Sequence, residues 1–255
     1  MSGTSSRVIA ILEALTAPEA DGLSAQDVVE RSGLPASTGY RIITELQDLG
    51  FVHRTSSRKL IANFSFHRRL HCPGLDPEYL TKACAVLSGR LTAAAEVVVL
   101  SGHSMLWHIV EQHPDQAIRL RAFPGFIRGA YELDSISRLG LAHLSVARIE
   151  KSWDSGGFYT AGVDRRPLSW DQVREMITAV DPSEMQYDLM GNAKGIRRYC
   201  VAIQEPDGGL ICLLTVAEAA IPLRNEAQHV ANIRTHLMSQ KSMIESAFSD
   251  PAIVG

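Results

Sequence analysis

The sequence predicts an α+β fold in two parts: three short helices and a small hairpin, then a longer region of strands and helices. Three observations carry this expectation. Apolar residues recur at helical spacing through the first fifty positions, and a basic segment with strand-like ends follows. Pro73-Gly-Leu-Asp-Pro77 then breaks the chain ahead of apolar, strand-like runs. The frame is an ordinary globular one: of 255 residues, 45% are hydrophobic and 21% charged, which excludes a disordered or fibrous chain. No apolar run approaches the roughly 20 residues of a membrane span, and the N-terminus lacks the apolar stretch of a signal peptide. Cys72, Cys84, Cys200 and Cys212 are too widely spaced for a C-x-x-C motif. A reduced, cytoplasmic protein is expected.

The first helix follows from Val8, Ile11, Leu12 and Leu15, which make one apolar stripe ended by Pro18 and Gly22. Ser24-Ala-Gln-Asp27 has the form of a capping box. It opens a second helix, with Val28 and Val29 inward and Gly33 as the stop. Pro35 suits the first position of a third helix running to Gly50. At 100° per residue, Gly39, Ile42, Ile43, Leu46 and Leu49 fall on its inner face. Ser37, Tyr40, Arg41, Thr44 and Asp48 fall on its outer one. Two helices joined by a tight turn make a helix-turn-helix, and Gly39 lets them approach closely. Phe51–Arg54 and Lys59–Ala62 read as two strands around Thr55-Ser-Ser-Arg58, a hairpin with a basic tip.

Charge agrees with this. Residues 1–30 carry one basic residue, Arg7, against five acids. Residues 31–70 carry seven basic residues (Arg31, Arg41, Arg54, Arg58, Lys59, Arg68, Arg69) against Glu45 and Asp48, inside a chain of net charge -3. Such a block suits a polyanion. Ser37, Thr38, Tyr40 and Arg41 are placed to enter a DNA major groove, where arginine can fork onto a guanine edge. Arg54, Arg58 and Lys59 are placed to clamp the sugar-phosphate backbone as a wing.

Val8 to Leu15, Gly33-Leu-Pro-Ala-Ser-Thr38, Tyr40-Arg41 and Leu46 to Val52 together resemble the N-terminal domain of IclR-type transcriptional regulators, with G-L-P-x-S-T-x-x-R and L-x-x-x-G-F-V as the specific part. The resemblance extends, at the level of pattern, to that family's C-terminal GAF-like effector-binding domain. Ala95–Leu100, Met105–Val110 and Ala117–Ala122 read as successive strands. Gly195–Ala202 is similar to the family's G-V-R-C-I-A strand, Leu210–Ala217 to the strand that follows, and residues 224–248 to its long C-terminal helix. The resemblance implies a winged helix-turn-helix over 1–72, a linker helix over 73–92 and a GAF-like domain over 93–255. Leu80, Ala83, Leu87 and Leu91 mark the linker helix's apolar side.

Around the effector the resemblance points to Ser137 and Arg138, on the loop that caps the pocket in relatives, and to Cys200. They stand where the family has glycine, lysine and the cysteine of its strand motif. Arg138 could pair with a ligand carboxylate. Trp107, Asp188 and Thr215 are further candidates, Trp107 reading more as core than as a stacking platform. The effector expected is a small molecule, a carboxylate or an aromatic acid.

No catalytic chemistry is expected. Gly102-His-Ser-Met-Leu106 departs from the hydrolase G-x-S-x-G elbow and falls between strands. His103, His108 and His113 share no helical or strand face, and His67-Arg-Arg-Leu-His71 lacks the metalloprotease glutamate. Neither a metal nor a cofactor is implied, since no G-x-G-x-x-G or Walker sequence occurs. The sequence therefore predicts a ligand-responsive regulator that acts as a dimer or tetramer on a roughly palindromic operator in double-stranded DNA, with no membrane partner. The alternative is a metabolite-binding enzyme or sensor that uses its N-terminal domain only to dimerise.

Overall fold

The computed structural model describes residues 4–15, 22–63, 75–101, 104–129, 131–151 and 157–249. The expectations resting on Pro18, His67 to His71, Cys72, Pro73-Gly74 and Gly102-His103 lie outside these residues. The chain divides into two compact units, residues 1–68 and 69–255.

The first unit holds α1 (Thr4–Leu15), α2 (Ala25–Ser32), α3 (Ala36–Asp48), β1 (Val52–Arg54) and β2 (Leu60–Ala62). Its core gathers Ile11, Leu15, Val28, Ile42, Ile43 and Leu60. The capping box forms as its spacing predicts: the Ser24 hydroxyl accepts the Asp27 amide at 3.1 Å, and the Asp27 carboxylate accepts the Ser24 amide at 3.0 Å. Gly33 closes α2 at φ 65°. A Cβ on Gly39 would lie 2.7 Å from Val29 Cγ2, so the crossing of α2 and α3 requires glycine there.

Two details of α3 differ from expectation. Pro35 is the N-cap rather than the first helical residue: its ψ of 136° is extended, and its carbonyl accepts the Gly39 amide at 3.0 Å. Leu49 is 71% exposed. It is the cap beyond the last helical turn, where the wheel no longer places side chains. The hairpin pairs Val52 with Ala62 and Arg54 with Leu60. Leu23 adds an isolated bridge to Leu60, closed by amides at 3.2 and 2.7 Å.

The second unit runs α4 (Pro77–Leu91), β3 (Ala94–Ser101), β4 (Ser104–Glu111), β5 (Ile127–Gly129), β6 (Glu132–Leu133), α5 (Ser135–Ala142), α6 (Val146–Lys151), β7 (Tyr159–Thr160), α7 (Trp170–Thr178), β8 (Gln186–Tyr187), β9 (Ile196–Gln204), β10 (Leu210–Ala219) and α8 (Glu226–Ser246). Six strands form one antiparallel sheet in the order β5-β4-β3-β10-β9-β8. Alternation sends Tyr199, Val201 and Ile203 of β9 into a core with Leu80, Ala83 and Leu87 of α4 and Ile233, Leu237 and Ile244 of α8. Cys200 and Ala202 turn to the opposite face, under Ile136 and Leu139 of α5 and Val173 of α7. The apolar stripe read on the linker helix is thus buried against this sheet.

The pairing of β3 with β4 slips between Val97–Ile109 and Val98–Trp107, leaving His108 as a bulge. The slip puts Trp107 on the α5 face although Ile109, two residues on, packs on the other. Ala117–Ala122 is not a strand. The Gln112 side chain takes both backbone groups of Leu120, accepting its amide at 3.0 Å and donating to its carbonyl at 3.2 Å. Those groups have no ladder to join, and the edge strand is β5 instead.

Candidate functional site

In the first unit the expected residues lie together on one surface. Ser37, Tyr40 and Arg41 are exposed on α3 and Thr38 is half-buried. Pro35 provides no side-chain cap, and the first turn of α3 has no acid. The positive end of the helix dipole is therefore left for an outside anion. Arg41 pairs with Glu45 at 2.9 Å on the same outer face, an i,i+4 contact that the spacing alone could have revealed.

At the hairpin tip, the Thr55 amide donates to the Lys59 carbonyl at 2.8 Å. The Lys59 amide returns to Thr55 Oγ1 at 3.1 Å. Arg58 is held between them at φ 63°. Arg54 and Arg58 are exposed and Lys59 half-buried.

In the second unit the expected residues are mostly engaged with the protein itself. Ser137 is buried inside α5 rather than on a loop, because Asp134 caps that helix by accepting the Ser137 amide at 3.0 Å. Its hydroxyl accepts Arg128 Nη2 at 3.2 Å. Arg138 donates to Asp188 at 2.7 Å and to the Leu133 carbonyl at 2.7 Å, and Asp188 also accepts the Ser135 amide. Thr215 is buried and donates to Glu96 at 3.1 Å; Arg198 Nε reaches the same oxygen at 2.8 Å. Cys200 is buried 3.5 Å from the Gln186 carbonyl, and burial pushes its thiol well up.

Trp107 is 1% exposed and is core, as expected. It also lines a small recess with Phe126, Arg128 and Arg198. Burial alone would raise the Asp134 carboxyl, but Arg128, bidentate at 2.8 and 3.0 Å, holds it below the ordinary carboxylate range. The sequence reading missed Glu96, Arg128 and Arg198. Their signal was a charge set within apolar strand segments, which implies a buried partner.

Residues 5–56 match the model of the IclR helix-turn-helix domain. The first unit is an IclR helix-turn-helix domain. Solved structures extend the likeness to the fold of nearly the whole chain. An IclR homologue from Microbacterium hydrocarbonoxydans, crystallised with 4-hydroxybenzoate, superposes with a TM-score of 0.68 at 17% identity, over 97% of this chain and 99% of that one. An IclR transcriptional regulator from Alicyclobacillus acidocaldarius gives 0.65 at 13% identity, over 97% and 100%. The Thermotoga maritima IclR gives 0.60 at 13%, over 96% and 98%. No curated protein matches the chain by sequence. The IclR architecture of an N-terminal helix-turn-helix and a C-terminal sheet-rich α+β domain is therefore the fold of this protein.

Proposed function

We propose that the protein is a transcriptional regulator whose operator binding is controlled by a small-molecule effector. The observation that carries the reading is the exposed Ser37, Tyr40 and Arg41 face of α3, with Thr38 half-buried among them, beside a basic wing within an IclR helix-turn-helix domain. Ser37, Thr38 and Tyr40 enter the major groove and Arg41 forks onto a base edge. Arg54, Arg58 and Lys59 hold the backbone. The Arg41–Glu45 pair does not prevent this: an exposed i,i+4 pair contributes about 0.3–0.5 kcal/mol, and a bidentate base contact about 1–3 kcal/mol.

Two copies present paired recognition helices to a roughly palindromic site, as a dimer or a dimer of dimers. The effector is a carboxylate or an aromatic acid taken up by the second unit. The 4-hydroxybenzoate held by the Microbacterium homologue and the arginines around Trp107 support that class. An effector that favours one arrangement of the dimer shifts the population able to bind DNA. The protein acts on DNA in the cytoplasm, and we assign it no reaction.

Gel-shift titration of a selected DNA fragment tests this. Arg41→Ala should weaken binding by about tenfold or more with circular dichroism unchanged. Glu45→Gln, which frees Arg41 and removes a charge that repels phosphate, should strengthen it. Wild-type affinity in Arg41→Ala would overturn the reading.

A further inference from the structure

We propose that a recess at the end of β10, between the close of α4 and the first turns of α8, is a binding site for a small neutral aliphatic alcohol. The inference stands apart from the regulatory reading and needs neither DNA nor the effector proposed above.

The recess encloses about 180 Å3. A buried cavity of about 150 Å3 holds benzene, so the space suits a ligand of about six to eight non-hydrogen atoms. Its wall is aliphatic: Ala93, Ala117, Ile118, Ala219, Ile221 and Leu223 line it, and no aromatic carbon ring does. A flat ring has nothing to stack on there, and a saturated body fits as well as any.

The polar groups set the head group. Glu218 and His229 line the recess and keep 19% and 32% of their side-chain surface exposed, so a ligand can reach both. His229 Nε2 lies 2.9 and 3.0 Å from the two Glu218 oxygens. A carboxylate only accepts, so Nε2 carries the proton, and Nδ1 of the neutral ring is a lone pair. Nothing among the described residues donates to it. Glu218 Oε1 also accepts Arg197 Nη1 at 3.0 Å and the Tyr199 hydroxyl at 3.2 Å, whereas Oε2 accepts His229 alone. The side-chain donors around this carboxylate are engaged. Arg197 gives its Nε to the Leu189 carbonyl at 2.6 Å and its Nη2 to the Ile221 carbonyl at 2.9 Å. What remains open is acceptors, Oε2 and Nδ1, and a ligand answers them by donating.

Charge decides which donor. Glu218 is the one carboxylate lining the recess, and the buried guanidinium of Arg197 already neutralises it. An ammonium would add an unmatched charge against an aliphatic wall, at the cost of its hydration. A carboxylate would bring acceptors to acceptors. A hydroxyl donates without charge.

Calorimetric titration of the full-length protein with three probes that share one body tests this: cyclohexanol, cyclohexylamine and cyclohexanecarboxylate. Cyclohexanol should bind one per chain with Kd of about 1 mM or tighter, at least tenfold tighter than either ion. Ala117→Leu, at an exposed position, should fill the space and weaken it about tenfold with the melting temperature unchanged. His229→Phe keeps a ring but removes Nδ1, and should weaken it by a similar factor. If that variant fails to fold, Ala117→Leu decides the matter. Absence of cyclohexanol binding at ten times that concentration overturns the site. Equal binding of all three probes overturns the choice of head group, and affinity untouched by Ala117→Leu overturns the location.

Discussion

Arg58 occupies the left-handed region at φ 63°, a conformation that costs a side chain roughly 1–2 kcal/mol and glycine almost nothing. The turn of residues 55–59 tolerates it because Thr55 closes the loop through its amide, its carbonyl and its hydroxyl. A positive charge at the tip is the functional return. Arg58→Gly should therefore raise the melting temperature of the first unit slightly while weakening DNA binding. It should also flatten the dependence of log K on log salt by about 0.9 per lost phosphate contact. Matched melting and salt titrations would check both. Neither hydrogen bonds nor backbone angles at this turn were legible in Thr55-Ser-Ser-Arg58; only its polarity was. Ser24 and Asp27 are the opposite case, since a capping box is a three-residue pattern complete in the sequence. Gly39 was legible too, because a glycine on the inner face of an amphipathic helix has few other uses.

Among elements, the sheet shows what carries a buried ion pair. Glu96 of β3 and Arg198 of β9 lie on the same face with β10 between them, and Thr215 of β10 donates to the same carboxylate. Removing one partner leaves an uncompensated buried charge, which costs about 3–5 kcal/mol. Glu96→Gln should thus lower the stability of the second unit by about that amount. Tryptophan fluorescence in urea isolates the change, because Trp107, Trp153 and Trp170 all fall in that unit. A loss below about 1 kcal/mol, the scale of an ordinary hydrogen bond, would contradict the assignment. Elements with strong local patterns, α1 to α4 and α8, were legible. The edge strand was not: Ala117–Ala122 has the composition of a strand, and what displaces it is Gln112, a side chain whose reach no periodicity reports. The bulge at His108 was hidden for a related reason, since register belongs to a pair of strands and one strand's sequence does not contain it. Likewise, nothing in the spacing of Arg138 and Asp188 announced that the two would satisfy each other.

For the whole molecule, the two-part organisation followed from charge and from the break near residue 75, and the fold comparisons agree with it along nearly the full length. Several carboxyls are held below their ordinary range. In Asp27 the Ser24 hydroxyl and then its amide do this, and in Asp181 the corresponding groups of Ser183. In Asp134, Arg128 prevails over burial. Groups depressed by folding contribute stability that is complete above their unfolded pKa, about 3.9, and that is lost as pH falls through the folded values. Melting temperature should hold from neutrality down to about pH 4 and fall below it, with Asp134→Asn removing part of that acid dependence. A melting curve measured against pH checks the sign.

The most direct test of the account is selection of bound fragments from sheared genomic DNA by the purified full-length protein, followed by footprinting with and without benzoate. The account predicts one or a few sites built on an inverted repeat, protected by wild type and not by Arg41→Ala, with affinity falling steeply with salt. Weak binding that is indifferent to sequence, unchanged by Arg41→Ala in the presence and absence of carboxylates, would contradict it.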